Sequence, residues 1–333
     1  MNPTLTLEEI YKPIEAPVRA VPDVILDILE TDNALAGDVI RYFFSGKGKL
    51  LRPALTLFGA LAVRPDRDWN SQDRRLQNLA ASYEIFHAAT LIHDDIIDAS
   101  YVRRNLPTVN VKWNSQTAVL VGDFLHDKAI GCIFESGDAA IFKRFLQTAG
   151  TVCDGEIHEL RETRNFELTE ETYLEIIDKK TAVLLACCLE SGGLFEGATP
   201  AQAAALSRFG RLFGLAFQIV DDCLDFTGNE HEFGKTLGAD AMGGVLTLPV
   251  IRLLKQADPA LRRNILALFE NDAGAERVAP LLARIREFGT VESALATARE
   301  LSDKARLELN VFADSPARQS LEKLLDYVLE RNR

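Results

Sequence analysis

The chain carries one acidic signature twice: Asp94-Asp95-x-x-Asp98 follows Leu91-Ile92-His93, and Asp221-Asp222-x-x-Asp225 follows Ile219-Val220. Both copies close runs in which apolar residues recur at helical spacing, with Leu76, Leu79, Ala80, Tyr83, Phe86 and Ala89 before the first and Phe213 and Phe217 before the second. Residues three and four apart share one helix face, so each signature gathers three carboxylates on one patch. Like charges at that spacing repel by about 0.2–0.5 kcal/mol per exposed pair, and a counter-cation removes the penalty. Mg2+ prefers one or two carboxylates completed by water and phosphate oxygens. Two helices ending this way therefore read as a divalent-metal site for a polyphosphate.

The rest of the chain also reads as helix. Sustained two-residue alternation of β-branched residues is absent. Thr199-Pro200, Asp258-Pro259 and Ser315-Pro316 each pair a capping side chain with proline at the first helical position. Apolar spacing predicts helices over about 24–44, 54–62, 74–98, 115–134, 138–162, 169–191 and 201–226, with amphipathic helices beyond. Pro3, Pro13, Pro17 and Pro22 make residues 1–22 an arm or short broken helices, leaving 23–333 as a single domain. With 47% hydrophobic residues in 333, the chain can bury a sizeable core.

A net charge of −12 argues against nucleic acid, which such a surface repels. Five cysteines, odd in number and without Cys-x-x-Cys spacing, point to small buried roles in a reducing compartment. The N-terminus is acidic, and no apolar run nears the ~18–20 residues of a spanning helix. A cytoplasmic protein without a transmembrane segment is the expectation.

Against that acidic background, cations gather near the signatures. Ser45-Gly46-Lys47-Gly48-Lys49-Leu50-Leu51-Arg52-Pro53 combines glycines that admit a ligand to the backbone with positive charge. Arg103-Arg104 offers guanidinium forks suited to phosphate oxygens or to the nearby aspartates. His87 lies on the first acidic helix, Lys180-Thr181 on a later one, and Lys235 in the glycine-punctuated segment 227–238, which reads as a lid. Lys49, Arg52, His87, Arg103, Arg104, Lys180 and Lys235 exceed what one diphosphate needs, so two anionic substrates are implied.

These segments resemble the trans-isoprenyl diphosphate synthases (polyprenyl synthetases) from about residue 35 to 330. The likeness rests on Gly48-Lys49-x-Leu51-Arg52-Pro53, Glu84-x-x-His87 leading into the first signature, Arg103-Arg104, Gly122-Asp123, Lys180-Thr181, Phe217-Gln218 leading into the second, Gly234-Lys235 with Asp240, and Thr247-Leu248-Pro249. The resemblance implies an all-α bundle of about ten core helices around a deep central cavity, usually a homodimer, with three Mg2+ ions. By position it makes Asp94, Asp98 and Asp221 the main metal ligands, with Asp95, Asp222 and Asp225 assisting. It assigns isopentenyl diphosphate to Lys49, Arg52, His87 and Arg104, and the allylic diphosphate to Arg103, Lys180, Gln218 and Lys235. Thr181 and Gln218 oxygens are expected near the allylic cation, which makes Lys180, Thr181 and Gln218 the expected catalytic residues.

Three positions depart from the family pattern: Leu50 in place of arginine, Asn105 in place of glycine and Val245 in place of lysine. In this family a bulky residue four or five positions before the first signature stops chain growth early, and here those positions hold Thr90 and Ala89. The resemblance therefore implies a long all-trans product of about six or more isoprene units for quinone side chains, with Phe86 as the cavity floor. A shorter-chain synthase and a non-catalytic subunit of a heteromeric synthase are the alternatives. A terpene cyclase fits less well, since its second metal motif is not a second aspartate triplet.

Overall fold

The computed structural model describes residues 5–46, 48–69, 74–227, 238, 241, 243–269 and 278–331. Helices account for nearly all of it. They are α1 (Leu7–Tyr11), α2 (Glu15–Ile28), α3 (Ala34–Phe44), α4 (Leu51–Val63), α5 (Arg75–Ile97), α6 (Val109–Lys112), α7 (Ser115–Phe134), α8 (Ala139–Glu162), α9 (Glu170–Ile177), α10 (Val183–Phe195) and α11 (Pro200–Thr227). After them come α12 (Leu248–Gln256), α13 (Pro259–Ala267), α14 (Val278–Glu287), α15 (Thr290–Glu308) and α16 (Pro316–Glu330). Among the described residues the only strands form a small hairpin, β1 (Val102–Arg103) with β2 (Leu106–Pro107), and short 3-10 turns at Lys12–Ile14 and Leu309–Val311 and a π-turn at Asp178–Ala182 join helices.

The chain's contacts group it into two compact units, Met1–Leu146 with Cys187–Ser207 and Val311–Lys323, and Gln147–Ala186 with Arg208–Asn310 and Leu324–Arg333. Every boundary between them falls inside a helix or helical turn, so no linker separates them.

In the first unit α5 is the axis, flanked by α2, α4 and α7. Leu79, Ala80, Ala81, Tyr83, Ile85, Phe86, Ala88, Ala89 and Ile92 are all buried, so α5 is enclosed on every side where amphipathic α2 is not. Helix α4 is sealed likewise from Pro53 to Ala62. It meets α10 at backbone distance: a Cβ on Gly59 would overlap the Leu189 carbonyl, and one on Gly192 the Thr56 carbonyl. In the second unit α12 packs on α15, and Arg252 links Glu170 (2.9 Å) to Ser293 and Thr297.

The three cap signals act as expected. Thr199 accepts from the Gln202 N–H, Asp258 from those of Ala260 and Leu261, and Ser315 from that of Arg318. Four expectations need correction. The N-terminal segment takes the form of short broken helices, α1, a 3-10 turn at Lys12–Ile14 and α2, and buries Ile10, Tyr11, Ile14 and Val18, but α2 runs on past the expected boundary at 22. Pro17 lies in its first turn, where no helical N–H bond is lost, and Pro22 lies in the interior, where one is forgone. The run over 24–44 is two helices, since Asn33 caps α3 on the Ala36 N–H. The run over 169–191 is interrupted by a π-turn at Asp178–Ala182. Finally, α11 is long and apolar enough to cross a membrane, although 56% of its apolar window is buried within the protein and it ends in the second acidic signature.

Candidate active site

The first signature occupies the last turn of α5, and its three aspartates differ. Asp95 is buried, Asp94 half-buried and Asp98 exposed. Arg103 on the hairpin holds Asp95 in a fork, Nε donating to Oδ1 and Oδ2 at 2.9 and 3.0 Å and Nη2 lying 2.9 Å from Oδ1. The hairpin turn places both Arg104 and Asn105 at positive φ (51° and 61°). That is the pattern of a two-residue primed turn, which asparagine accepts almost as readily as glycine. The turn splits the arginine pair: Arg103 goes to Asp95, and Arg104 reaches the glycine segment, where Nη1 donates to the Gly46 carbonyl at 3.3 Å. His93 packs on Gly122 with Nε2 3.2 Å from the Val119 carbonyl, a structural role.

Arg104, His87 and Glu84 line a cavity of about 330 Å3 together with Ser45, Gly46, Gly48 and the apolar Ile25, Leu26, Phe43, Phe44, Leu50 and Leu91. Burial pushes the Glu84 carboxyl up while Arg52 and Arg104 pull it back. Burial, and then the charges of Arg52, Arg103 and Arg104, hold the His87 imidazole well below its ordinary value, so it is neutral. Arg52 leaves Nε buried without a hydrogen-bond partner, and Glu84 does the same with Oε2. Lys49 is exposed, and its carbonyl accepts from the Tyr11 hydroxyl at 3.1 Å, so the N-terminal helix braces the glycine segment.

The second signature, at the end of α11, follows the same plan. Asp222 is buried, Asp225 half-buried and Asp221 exposed. Asp222 accepts from the Tyr173 hydroxyl at 2.6 Å and the Gln218 amide at 2.8 Å, and Thr181 donates to the Gln218 carbonyl oxygen at 2.9 Å. Burial, together with Asp222, drives the Tyr173 phenol well above its usual value, so it remains a donor. The π-turn presents Lys180 and Thr181, a use for which such turns recur at functional sites. Gly155 on α8 admits this turn, since a Cβ there would lie 2.7 Å from the Lys180 nitrogen. Lys180 Nζ pairs with Glu159 (2.5 Å) and Glu156 (3.0 Å). Burial opposes its charge, but the two carboxylates win and raise its pKa.

Sequence reasoning missed Tyr173, Glu156, Glu159 and Arg331, whose Nη2 donates to Asp221 Oδ1 at 3.0 Å. None stands near its partner in a way that spacing reveals. Of the expected floor residues, Phe86 is buried against Phe145 (5.1 Å, edge-on) and His126 (5.6 Å), Ala89 is buried, and Thr90 bonds back to the His87 carbonyl. Lys235, with Gly234, Asp240 and most of the expected lid, lies outside the described residues.

In both signatures the middle aspartate is buried against protein donors, while the outer two range from half-buried to exposed, Asp221 keeping a bond to Arg331. Among the described residues no three acidic, imidazole or thiol groups are arranged as a metal site by themselves. The donors that the signatures offer are hard carboxylate oxygens, the type Mg2+ takes alongside water and phosphate oxygens.

Fold and site together define a trans-prenyltransferase, and the chain belongs to the polyprenyl synthetase family, whose sequence model matches residues 33–285. It is 30% identical over 329 residues to octaprenyl diphosphate synthase of Escherichia coli (strain K12), covering 99% of this chain and 100% of that one. It is 32% identical to geranylgeranyl diphosphate synthase of Methanosarcina mazei, with 98% of each chain covered. The crystal structure of a polyprenyl synthase from Caulobacter crescentus CB15, complexed with calcium and isoprenyl diphosphate, superposes with a TM-score of 0.91 at 28% identity over 100% of both chains.

Proposed function

We propose that the chain is a Mg2+-dependent, chain-elongating synthase that condenses isopentenyl diphosphate with an allylic diphosphate to give an all-trans polyprenyl diphosphate of about six or more isoprene units. The observation that carries this reading is the twofold plan of the acidic signatures: each fixes a buried middle carboxylate through neighbouring side chains, and its outer carboxylates range from half-buried to exposed.

Asp94, Asp98 and Asp221 would hold Mg2+, with Asp95, Asp222 and Asp225 supporting them, three ions being the family's complement. Bound there, Mg2+ supplies Lewis-acid stabilisation of the departing diphosphate. Arg52, Arg104, Lys49 and neutral His87 bind the isopentenyl diphosphate, for which the cavity beside Gly46 and Gly48 provides donors. Arg103, Lys180, Gln218 and Lys235 address the allylic diphosphate. For this, Lys180 exchanges its bonds to Glu156 and Glu159 for phosphate oxygens, and the lysine stays protonated throughout. The allylic C–O bond breaks, the isopentenyl double bond attacks the resulting cation, and a proton leaves the new chain to the released diphosphate. The Thr181 hydroxyl and the Gln218 carbonyl, bonded to one another, present oxygen dipoles that stabilise the cation, from which water has to be kept.

Small Ala89 and Thr90 favour a long product. The exposed apolar residues Leu120 and Phe134 on α7 and Ile157 and Leu160 on α8, each more than 60% accessible, support assembly as a homodimer. We place the enzyme in the cytoplasm. The decisive assay incubates purified protein alone with Mg2+, isopentenyl diphosphate and farnesyl diphosphate and reads the product mass. Products of about thirty carbons or more carry the proposal. Products that stop short of that place the enzyme among the shorter-chain synthases, and no product without a second polypeptide makes the chain a subunit of a heteromer.

A further inference from the structure

We propose that Arg331 is a positioning residue for Asp221, fixing that carboxylate through one oxygen so that the other is presented to the cation. Helix α16 ends at Glu330, and Arg331 turns its side chain inward until only 4% of it remains accessible. There Nη2 donates to the Phe217 carbonyl at 2.9 Å and to Asp221 Oδ1 at 3.0 Å, and the guanidinium lies 4.1 Å from the centre of the Phe217 ring. Oδ2 of Asp221 has no hydrogen-bond partner among the described residues, and its side chain is 53% accessible. A carboxylate in that position is otherwise free to rotate, and holding one oxygen removes that freedom before a ligand arrives.

A purely structural tether is the competing account, and the arrangement fits it poorly. Burying a guanidinium is expensive, and a buried ion pair stabilises a fold less than apolar packing of the same volume. Arg331 also leaves its buried Nε without a hydrogen-bond partner. A tether for α16 needs only a donor for the Phe217 carbonyl, whereas here the same charged Nη2 also reaches Asp221 Oδ1, 110 residues back along the chain, and holds that one oxygen. Outer groups that orient metal ligands typically govern affinity by roughly 10–100-fold.

The inference rests on reading Asp221 as a metal ligand, and the test separates the two. Mn2+ binding to the full-length protein is followed by loss of the free-ion EPR signal for the parent, Arg331→Ala, Arg331→Lys, Arg331→Gln, Asp221→Asn and the Arg331→Ala/Asp221→Asn pair. Arg331→Ala is expected to weaken binding by roughly 10–100-fold. Arg331→Lys and Arg331→Gln, which keep a donor, are expected to restore part of the loss and to carry the comparison if the alanine variant does not fold. The alanine effect is expected to vanish in the Asp221→Asn background. In turnover the half-saturating Mg2+ concentration rises more than kcat at saturating Mg2+ falls. Unchanged or tighter Mn2+ binding in the Arg331 variants, or an equal loss with and without the Asp221 carboxylate, overturns the inference. If Asp221→Asn alone leaves Mn2+ binding intact, the ligand reading fails and the inference falls with it.

Discussion

Replacing Phe86 by alanine is the most informative perturbation of product length. The ring is 2% accessible and wedged between Phe145 and His126, with Tyr83 edge-on to the same Phe145 at 6.0 Å. Deleting a buried phenyl group costs about 3–5 kcal/mol through lost transfer energy and the cavity left behind. That is a large share of the roughly 5–15 kcal/mol that holds a domain folded. Phe86→Leu is the gentler companion, at roughly 1–2 kcal/mol. If the ring is the floor, the space it vacates is about the volume of one isoprene unit, so the dominant product of Phe86→Ala lengthens by about one or two units while Phe86→Leu broadens the distribution. Products primed with farnesyl diphosphate are dephosphorylated and read by liquid chromatography with mass detection, and thermal melts verify folding. A folded Phe86→Ala protein with an unchanged product distribution refutes the floor assignment and leaves Phe86 as core packing alone.

Three further outcomes follow from the geometry. His87 is held neutral in the fold with its pKa below the unfolded value of about 6.5, so above that pH it contributes no pH dependence. As pH falls below 6.5 the unfolded chain takes up a proton that the folded chain refuses, so stability drops by up to about 1.4 kcal/mol per unit until the folded pKa is reached. Urea midpoints at pH 7 and 5.5 are expected to differ less in His87→Asn than in the parent, and equal differences exclude the mechanism. Gly192→Ala drives a methyl group into the Thr56 carbonyl and is expected to destabilise by about 1–3 kcal/mol or more by denaturant melt, whereas Gly131→Ala, with open space around it, is expected to be neutral or stabilising. Val245 is half-buried beside Gly244, whose carbonyl accepts from the Arg164 N–H at 2.8 Å. Val245→Lys is expected to lower KM for the allylic substrate by roughly tenfold, the value of one charge-assisted bond of about 1.5 kcal/mol, and an unchanged KM rejects a missing contact there.

What the sequence made legible was what depends on local spacing. The acidic signatures, the periodic runs of α5, α7 and α11, and the capping pairs at Thr199, Asp258 and Ser315 all declare themselves within a few residues. The hairpin at 102–107 leaves no mark in the sequence, because two-residue strands are too short for alternation. The π-turn was invisible for a different reason: it keeps helical apolar spacing and differs only in which carbonyl each N–H finds. The partners that differentiate the aspartates come from far along the chain, Tyr173 lying 49 residues from Asp222 and Arg331 lying 110 from Asp221. The cysteine reading was partly right. Cys187, Cys188 and Cys223 are buried, and burial pushes the Cys223 thiol up to about 12, but Cys153 is exposed.

The brace that Tyr11 provides has a practical corollary. Its hydroxyl holds the Lys49 carbonyl, while the neighbouring Ile10 carbonyl accepts from the Ser320 hydroxyl at 2.7 Å. Helix α1 thus works as a latch, fastened on one side to the glycine segment and on the other to α16. A shortened version of the protein starting at residue 13 would lose that latch and, with the glycine segment holding isopentenyl diphosphate as proposed, is expected to bind it less well without any change to the residues that touch it.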